Sequence, residues 1–364
     1  MNFRTVSEDG IELEVPDVRS PELGRAEGFY NPEMRTNRDI SISAAAVFLK
    51  QHGSDIKGEI RIADSLSATG IRALRYKKTF PSALVVANDV NDKAVELISK
   101  NAARNELDVE VRNEDAKNLL LENSFDIVDI DPYGSPIQFV EPGFTCFGKA
   151  GLLCATATDT ACLNGSMPQV AERRYGVRSL DCAFAKELGV RILITAIMRS
   201  GFRTDRAFTP LLNYQEKHYI RLFGLVQKGA ERCNELLKQF DYLTVCRCGR
   251  WFRGIAECCP DGCTTIGPLY LGQIQDKNFC SAVLSDMAER GYDIPLMSMI
   301  ADETSTLFYY DLHELASLGK MKIPKFDVVL DKLRQKHEAS RTHFCDTAVK
   351  TDAPLNEVID AMKG

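Results

Sequence analysis

Residues 59–80 read EIRIADSLSATGIRALRYKKTF and combine a short apolar strand, a turn of small residues and an amphipathic helix. The strand is predicted over Ile60–Ala63 and the helix over Gly70–Phe80. A strand that leads through a tight turn into a helix is the first half of a βαβ unit. This stretch therefore predicts an α/β fold with a ligand-binding turn at the carboxyl end of the strand.

The alternation of strands and helices continues along the first two-thirds of the chain. Further strands are predicted at Ala83–Asn88, Val109–Val111, Phe125–Ile130 and Leu152–Ala157. Strands separated by helices imply right-handed crossovers and a parallel, doubly wound, Rossmann-like sheet. The polar residues that follow these strands are expected at one edge of the sheet: Asp64, Thr69, Asp89, Asp115 and Asp131.

A change of pattern after Asp241 predicts a second, smaller domain. A chain of 364 residues is long enough for two domains. We place a cofactor-binding domain at residues 1–242 and an α+β C-terminal domain at 243–364. Within the latter, a cysteine cluster suggests a zinc ribbon over 243–275, and helical segments with one β-like stretch suggest a winged-helix-like module over 276–364.

The opening residues lack the long apolar run of a signal peptide, and no uncharged stretch is long enough for a transmembrane helix. We therefore expect a cytoplasmic protein with no membrane partner and no obligate protein partner. The net charge of −6 speaks mildly against nucleic acid. Phosphate binding needs only local basic groups, however, and one basic patch is Lys217-His218-Tyr219 with Arg221.

The turn after the first strand favours a small nucleoside cofactor. A dinucleotide fingerprint needs three glycines and only Gly70 is present, so a pyrophosphate is poorly supported. The carboxylate and sulfonium of S-adenosylmethionine need less room. Asp89 can accept hydrogen bonds from ribose hydroxyls and Asp115 from an adenine amino group, although each can equally be a helix N-cap.

A second motif closes the fourth predicted strand: Asp129-Ile-Asp131-Pro132-Tyr133-Gly-Ser-Pro136. It has the form of the Asp-Pro-Pro-aromatic loop of amino-methyltransferases. An exocyclic amine is a poor nucleophile because its lone pair is delocalised into the ring. A carboxylate and a prolyl-peptide carbonyl can accept its N–H groups, the carboxylate can take the released proton, and an aromatic ring can stack on the base. Asp131, Pro132 and Tyr133 are the predicted catalytic residues.

Several motifs in the same order resemble the tRNA (guanine-26) N2-dimethyltransferase family. They are Phe29–Met34 with Asn37-Arg38-Asp39, Asp64–Arg72, Asn88–Asn91, Asp129–Pro136, Ala157–Ala161, Gly267–Tyr270 and Ser340–Phe344. The resemblance implies transfer of one or two methyl groups from S-adenosylmethionine to guanosine N2 in tRNA. It also implies that Arg38, Arg72, Asp89, Asp115 and Ala116 contact the cofactor and that Asp131 is the catalytic carboxylate. Asp64, Thr69 and Asp129 complete the predicted cofactor-binding set.

Five cysteines fall within 18 positions, which indicates metal binding before disulfides in a chain without a secretion signal. The predicted zinc ligands are Cys246, Cys248, Cys259 and Cys263, with Cys258 as a rival. Both pairs depart by one residue from the Cys-x-x-Cys spacing of the family, so a decayed site with free thiols stays an alternative.

Two other functions stay open on sequence grounds. An Asp-Pro-Tyr motif also suits an amino-methyltransferase acting on DNA adenine or on a protein glutamine. A zinc-containing RNA-binding protein without catalytic activity could keep the same fold, although such a protein has no need to retain all four strand-end aspartates.

Overall fold

The computed structural model describes residues 3–17, 30–56, 58–257 and 262–363. Its strands are β1 Phe3–Glu8, β2 Ile11–Pro16, β3 Arg61–Asp64, β4 Leu84–Asn88, β5 Glu110–Arg112, β6 Phe125–Ile130, β7 Phe147–Ala157, β8 Arg206–Glu216, β9 Tyr219–Lys228, β10 Phe240–Cys246, β11 Trp251–Arg253, β12 Cys263–Tyr270, β13 Tyr310–Asp311, β14 Ala339–Arg341 and β15 Ala348–Thr351. Its helices are α1 Arg35–His52, α2 Ile71–Thr79, α3 Asp92–Arg104, α4 Ala116–Glu122, α5 Ile137–Thr145, α6 Thr160–Leu163, α7 Pro168–Tyr175, α8 Ala185–Phe202, α9 Ala230–Leu237, α10 Lys277–Glu289, α11 Pro295–Asp302, α12 Leu312–Leu318, α13 Phe326–Arg334 and α14 Leu355–Lys363.

The central sheet has the strand order β5-β4-β3-β6-β7-β9-β8. Strands β3 to β7 pair in parallel, which confirms the Rossmann-like prediction for this part of the sheet. The last two strands differ from that prediction, because β9 runs antiparallel to both β7 and β8. Only residues 217 and 218 separate β8 from β9, and a parallel crossover needs a far longer connection.

The inner strands of this sheet are buried on both faces. Neighbouring residues of β6 alternate between two apolar clusters: Val128 and Ile130 face one, and Ile127 faces the other. Helices α4, α5 and α8 cover the first face, and α1, α2 and α10 cover the second. Full burial explains why these strands appear in the sequence as continuous apolar runs.

The segment after the sheet combines three pieces. Strands β10, β11 and β12 form a small antiparallel sheet. Helix α10 packs against α1, and its Phe279 and Val283 belong to the core of the large sheet. Helices α12, α13 and α14 enclose a separate core with β15. Contacts of α10 thus cross the boundary expected at residue 243, and the division into two domains stays a prediction.

A buried ion network joins the last module to α8. Lys350 Nζ donates to Glu187 Oε2 and to Glu303 Oε1, both at 2.9 Å. His343 Nδ1 lies 2.6 Å from Glu303 Oε2, and the His343 side chain is fully buried. His343 is therefore a structural residue in this network.

Across the described ranges, every helix is too short or too polar to cross a membrane.

Candidate active site

The turn between β3 and α2 is held tightly against the neighbouring strand ends. Ser65 N donates to Asp129 O at 3.1 Å, and Ser67 N donates to Asn88 O at 2.8 Å. Gly70 caps α2 with φ +82°, and a Cβ at this position would lie 3.2 Å from Ile98 Cγ2. A left-handed conformation and close side-chain packing both favour glycine here. The sequence of small residues thus produces a turn whose backbone can approach a ligand.

A pocket of about 380 Å³ opens beside this turn at the carboxyl edge of the sheet. Its volume lies in the range of cofactor sites, about 300–1,000 Å³. Five segments of the chain form the pocket wall. The lining residues are Tyr30, Asn31, Glu33, Met34, Arg38, Asp64, Leu66, Ser67, Ala68, Thr69, Ile71, Arg72, Asp131, Pro132, Tyr133, Thr158, Lys217, His218 and Tyr219.

Arg72, in the first turn of α2, is the central cation of the pocket wall. Its Nη1 donates to Ser41 Oγ at 2.9 Å, and its Nη2 donates to Asp131 Oδ2. Nη1 also lies 3.6 Å from Asp129 Oδ2. Burial by itself lowers the pKa of Arg72, but Asp129 and Asp131 outweigh burial and raise this pKa above its usual value. Arg72 therefore stays charged and holds Asp131 in place.

Asp129 lies behind the pocket and is fully buried. Arg221 donates from Nη1 to Oδ1 at 2.9 Å and from Nη2 to Oδ2 at 2.6 Å, and the Tyr76 hydroxyl donates to Oδ2 at 3.0 Å. Burial raises the pKa of Asp129, yet Arg221 and then Arg72 outweigh it and hold this pKa below its usual value. The arrangement does not support the predicted cofactor contact of Asp129 and gives its carboxylate a supporting role instead.

The Asp131 loop begins where β6 ends. The Asp131 side chain is 22% exposed and lines the pocket beside the buried Pro132, while Tyr133 is 70% exposed at its rim. Gly134 has φ +87°, and its N–H donates to Thr158 Oγ1 at 2.8 Å. Thr158 N in turn donates to Gly134 O at 2.9 Å. This reciprocal pair fixes the loop to the end of β7, so the three predicted catalytic residues face one cavity.

Asp64 lies on the pocket floor and is 1% exposed. Its Oδ2 accepts a hydrogen bond from Ala73 N at 3.2 Å. Burial raises the pKa of Asp64 to about 7, against the opposing effect of Arg72 and with a further increase from Asp129. Nearby, Thr69 Oγ1 is buried without a hydrogen-bond partner among the described residues. A ligand that brings positive charge and a hydrogen-bonding group fits both side chains.

Arg38 reaches the pocket from α1 and is held from behind by the first hairpin. Its Nε donates to Glu8 Oε1 at 2.7 Å, and its Nη2 donates to Glu8 Oε2 at 2.5 Å and to Asn31 O at 3.2 Å. The Tyr30 hydroxyl also donates to Glu8 Oε2, at 3.0 Å. Burial raises the pKa of Glu8, but Arg38 above all outweighs it and keeps this pKa below its usual value. Glu8 therefore stays ionised.

Three predicted cofactor residues lie at neighbouring strand ends outside the pocket wall. Asp89 Oδ2 accepts from Ala68 N at 3.0 Å, which ties the end of β4 to the β3–α2 turn. Asp115 is the exposed N-cap of α4 and accepts from Lys117 N at 2.8 Å, next to the buried Ala116. Both aspartates thus have the capping or turn role that the sequence had left open. Their carboxylates still lie along the edge where a longer ligand would extend.

The structure also adds residues that sequence reasoning missed or misplaced. Arg221, interpreted from sequence as part of a basic surface patch, is fully buried against Asp129. Lys217, His218 and Tyr219 of the same patch do line the pocket. Glu8 had no local signal, because its contact with Arg38 spans 30 positions. Phe29 lies outside the described residues.

The predicted zinc ligands are described only in part. Cys246 and Cys263 are directly opposite each other on β10 and β12, and Cys248 lies in the turn that follows β10. Cys258 and Cys259 lie outside the described residues. Within the described ranges, no group of three or more His, Cys, Asp or Glu side chains is arranged to hold a metal ion. The described thiols alone therefore do not form a complete site.

Comparison with known proteins finds relatives over nearly the full length of the chain. A relative from Thermococcus kodakarensis named tRNA (guanine(26)-N(2))-dimethyltransferase is 34% identical over 100% of both chains. One of the same name from Methanothermobacter thermautotrophicus is 35% identical over 99% of this chain and 98% of the relative. The structure described as a complex of Trm1 from Pyrococcus horikoshii with S-adenosyl-L-methionine matches with a TM-score of 0.87 and 29% identity, over 99% of each chain.

A sequence profile described as N2,N2-dimethylguanosine tRNA methyltransferase matches residues 11–363. This range includes the β3–α2 turn, the Asp131 loop and the C-terminal module. The chain belongs to the family of N2,N2-dimethylguanosine tRNA methyltransferases.

Proposed function

We propose that this enzyme transfers methyl groups from S-adenosylmethionine to the exocyclic N2 of guanosine-26 in tRNA. The observation that supports it most is the position of Asp131, whose carboxylate lines the pocket beside the β3–α2 turn and is held by the buried Arg72. Repetition of the transfer would give first N2-methylguanosine and then N2,N2-dimethylguanosine. The pocket must then admit the monomethylated amine as well.

The pocket residues fit S-adenosylmethionine in charge and in hydrogen-bonding capacity. Arg38 and Arg72 would bind its carboxylate, and Asp64 would face its positive groups, with Thr69 Oγ1 as a further donor or acceptor. Asp89 would hold the ribose hydroxyls. Backbone and side-chain groups at Asp115 and Ala116 would receive the adenine, and Asp129 would act only through Arg72 and Arg221.

When bound, the cofactor supplies an electrophilic methyl group on a sulfonium. Asp131 and the peptide carbonyl of Pro132 would accept hydrogen bonds from the two N–H groups of the amine and direct its lone pair toward the methyl carbon. Asp131 would then accept the proton that the methylated nitrogen loses. Tyr133, exposed at the rim, would stack on the extruded guanine. In-line alignment of the reacting atoms would supply most of the remaining rate.

The C-terminal third of the chain would bind the folded tRNA. We keep the division into residues 1–242 and 243–364 as a proposal, with a winged-helix-like module over 276–364. The element order β13, α12, α13, β14, β15 supports it, because helices there precede a two-stranded wing.

We also propose a structural zinc site over 243–275 with Cys246, Cys248, Cys259 and Cys263 as ligands. The strand register supports this proposal, because it places Cys246, the last residue of β10, directly opposite Cys263, the first residue of β12.

The test uses purified protein, labelled S-adenosylmethionine and two tRNA transcripts that carry G26 or A26. We expect label on N2 of guanosine in the first transcript only. Asp131→Asn should lower kcat by about 10²- to 10⁴-fold with cofactor affinity retained, since general-base and positioning roles contribute on that scale. Asp126→Asn, a control on the same strand, alters a half-buried carboxylate that accepts from Arg61 N, and it should keep normal turnover.

Equal labelling of both transcripts would exclude position 26. Labelling of DNA adenine or of protein glutamine in place of RNA would support the rival methyltransferases. A folded protein that binds cofactor but labels nothing would support a binding module.

A further inference from the structure

The β8–β9 hairpin extends the pocket wall beyond the parallel part of the sheet. Glu216 pairs with Tyr219, so the turn consists of Lys217 and His218 alone. In the neighbouring β7–β9 strand pair, Ala157 at the end of β7 is opposite Ile220 of β9. Because β7 is parallel to β6, this register brings the hairpin tip to the same edge as the Asp131 loop. The tip and the catalytic loop therefore flank one opening.

Both turn residues are exposed, and both line the pocket. Lys217 adopts φ +46°, a left-handed conformation that a lysine rarely takes and that asparagine or glycine would accept more readily. Uncommon backbone conformations of this kind concentrate at ligand-binding sites. The position thus keeps a long cationic side chain where local backbone preference favours a small residue.

The ammonium group of Lys217 can exchange its present ion-pair partner for another anion. Its Nζ lies 3.7 Å from Glu33 Oε2, and the two side chains are 50% and 64% exposed. An ion pair at this distance and exposure contributes little to stability. A phosphate oxygen can replace the Glu33 carboxylate as the partner of Lys217. The exchange leaves no buried charge, because both side chains are exposed to solvent.

We propose that the β8–β9 tip clamps the target nucleotide, with Lys217 bound to its phosphate and His218 packed against its ribose. This inference rests on the proposed function, since it places the guanine against Asp131 and Tyr133. With the base inside the pocket, its sugar and phosphate remain at the opening, and that is where the tip lies. A lysine and an imidazole suit this part of RNA, which carries an anion next to an apolar sugar face.

The experiment measures tRNA binding and steady-state kinetics as a function of salt. Lys217→Asn removes the charge and suits the backbone conformation. It should raise the Kd and KM for tRNA about 5- to 10-fold and reduce the slope of log K against log salt by about 0.7–0.9, with the affinity for S-adenosylmethionine unchanged. Lys217→Arg should keep the salt slope. His218→Ala should raise the KM for tRNA more than it lowers kcat.

The matched control is Lys238→Asn, an exposed lysine paired with Glu235 just after α9. Helix α9 follows the far end of β9, so this lysine lies away from the pocket, and its loss should alter neither the Kd for tRNA nor the salt slope.

Equal salt slopes for Lys217→Asn and wild type would overturn the proposal, and Lys217→Gly repeats the test in case the asparagine variant folds poorly. A loss of kcat at unchanged KM in His218→Ala would identify a proton-transfer role and overturn the clamp assignment of this residue. An inactive wild-type protein on G26 tRNA would instead refute the proposed function, and the binding measurements separate the two outcomes.

Discussion

The buried pair of Asp129 and Arg221 allows a quantitative prediction for Asp129→Asn. The wild-type carboxylate accepts two hydrogen bonds from Arg221 and one from Tyr76, and it lies 3.6 Å from Arg72. Asparagine keeps the shape but removes the negative charge and one acceptor. Buried Arg221 then loses its ion-pair partner, Arg72 keeps only the counter-charge of Asp131, and the amide NH₂ faces an N–H or O–H donor.

We expect the free energy of unfolding to fall by about 3–5 kcal/mol, the range for breaking one partner of a buried ion pair. Urea denaturation followed by far-UV circular dichroism measures this loss. Asp126→Asn on the same strand is the control and should lose no more than about 1.5 kcal/mol, because it alters a single, half-buried hydrogen bond. Replacing Arg221 with Met in the Asp129→Asn background should recover part of the loss.

The pH dependence provides a second check on the same reasoning. Since the pKa of Asp129 is lowered in the folded state, its stabilising effect is complete above the unfolded value near 3.8 and disappears as the pH falls below that value. The difference between wild type and Asp129→Asn should therefore be constant at neutral pH and narrow only in acid. A loss under 1 kcal/mol at pH 7 would show that the pair is not coupled to folding as the contacts imply.

Three further predictions concern Asp64 in the pocket and the cysteine cluster. Because the pKa of Asp64 is raised to about 7, part of this group is protonated at neutral pH, and the cationic cofactor should bind more tightly as the pH rises from 6 to 8 and expel the proton. Calorimetry in buffers of different ionisation enthalpy should show proton release on binding, and Asp64→Asn should abolish this release. Equal proton release in the variant would contradict the prediction. The raised pKa also means that Asp64 stabilises the fold most below pH 3.8 and that this contribution disappears as the pH rises through about 7. Between these two pH values, the free energy of unfolding of the wild type should therefore fall relative to that of Asp64→Asn. For the proposed zinc site, protein purified without chelator should contain one zinc per chain, and Cys263→Ser should lose it and melt at lower temperature. Metal-free protein in which all five thiols of this segment titrate would exclude the site.

Much of the pocket edge could be predicted from local sequence. The small residues between Asp64 and Gly70 permit only a tight turn after a buried strand, and Asp131-Pro132-Tyr133 follows an apolar run that ends at the same edge. Both inferences need only the chain direction and the rule that parallel strands end together. The structure confirms both positions.

Other features depended on contacts between distant parts of the chain. The sequence assigned Asp129 to the cofactor and Arg221 to a surface patch, although the two residues are bonded to each other across 92 positions. It also did not indicate that Glu8 holds Arg38, or that the tip of an antiparallel hairpin completes the pocket.

Sequence by itself determined the succession of the five parallel strands, the turn beside the pocket and the acid that follows the fourth strand of the predicted sheet. Only the tertiary structure decided which charges face the pocket and which are neutralised beneath it. The physical reason is that periodicity and turn chemistry act over a few neighbouring residues, whereas burial and ion pairing depend on which remote side chain arrives within hydrogen-bond distance.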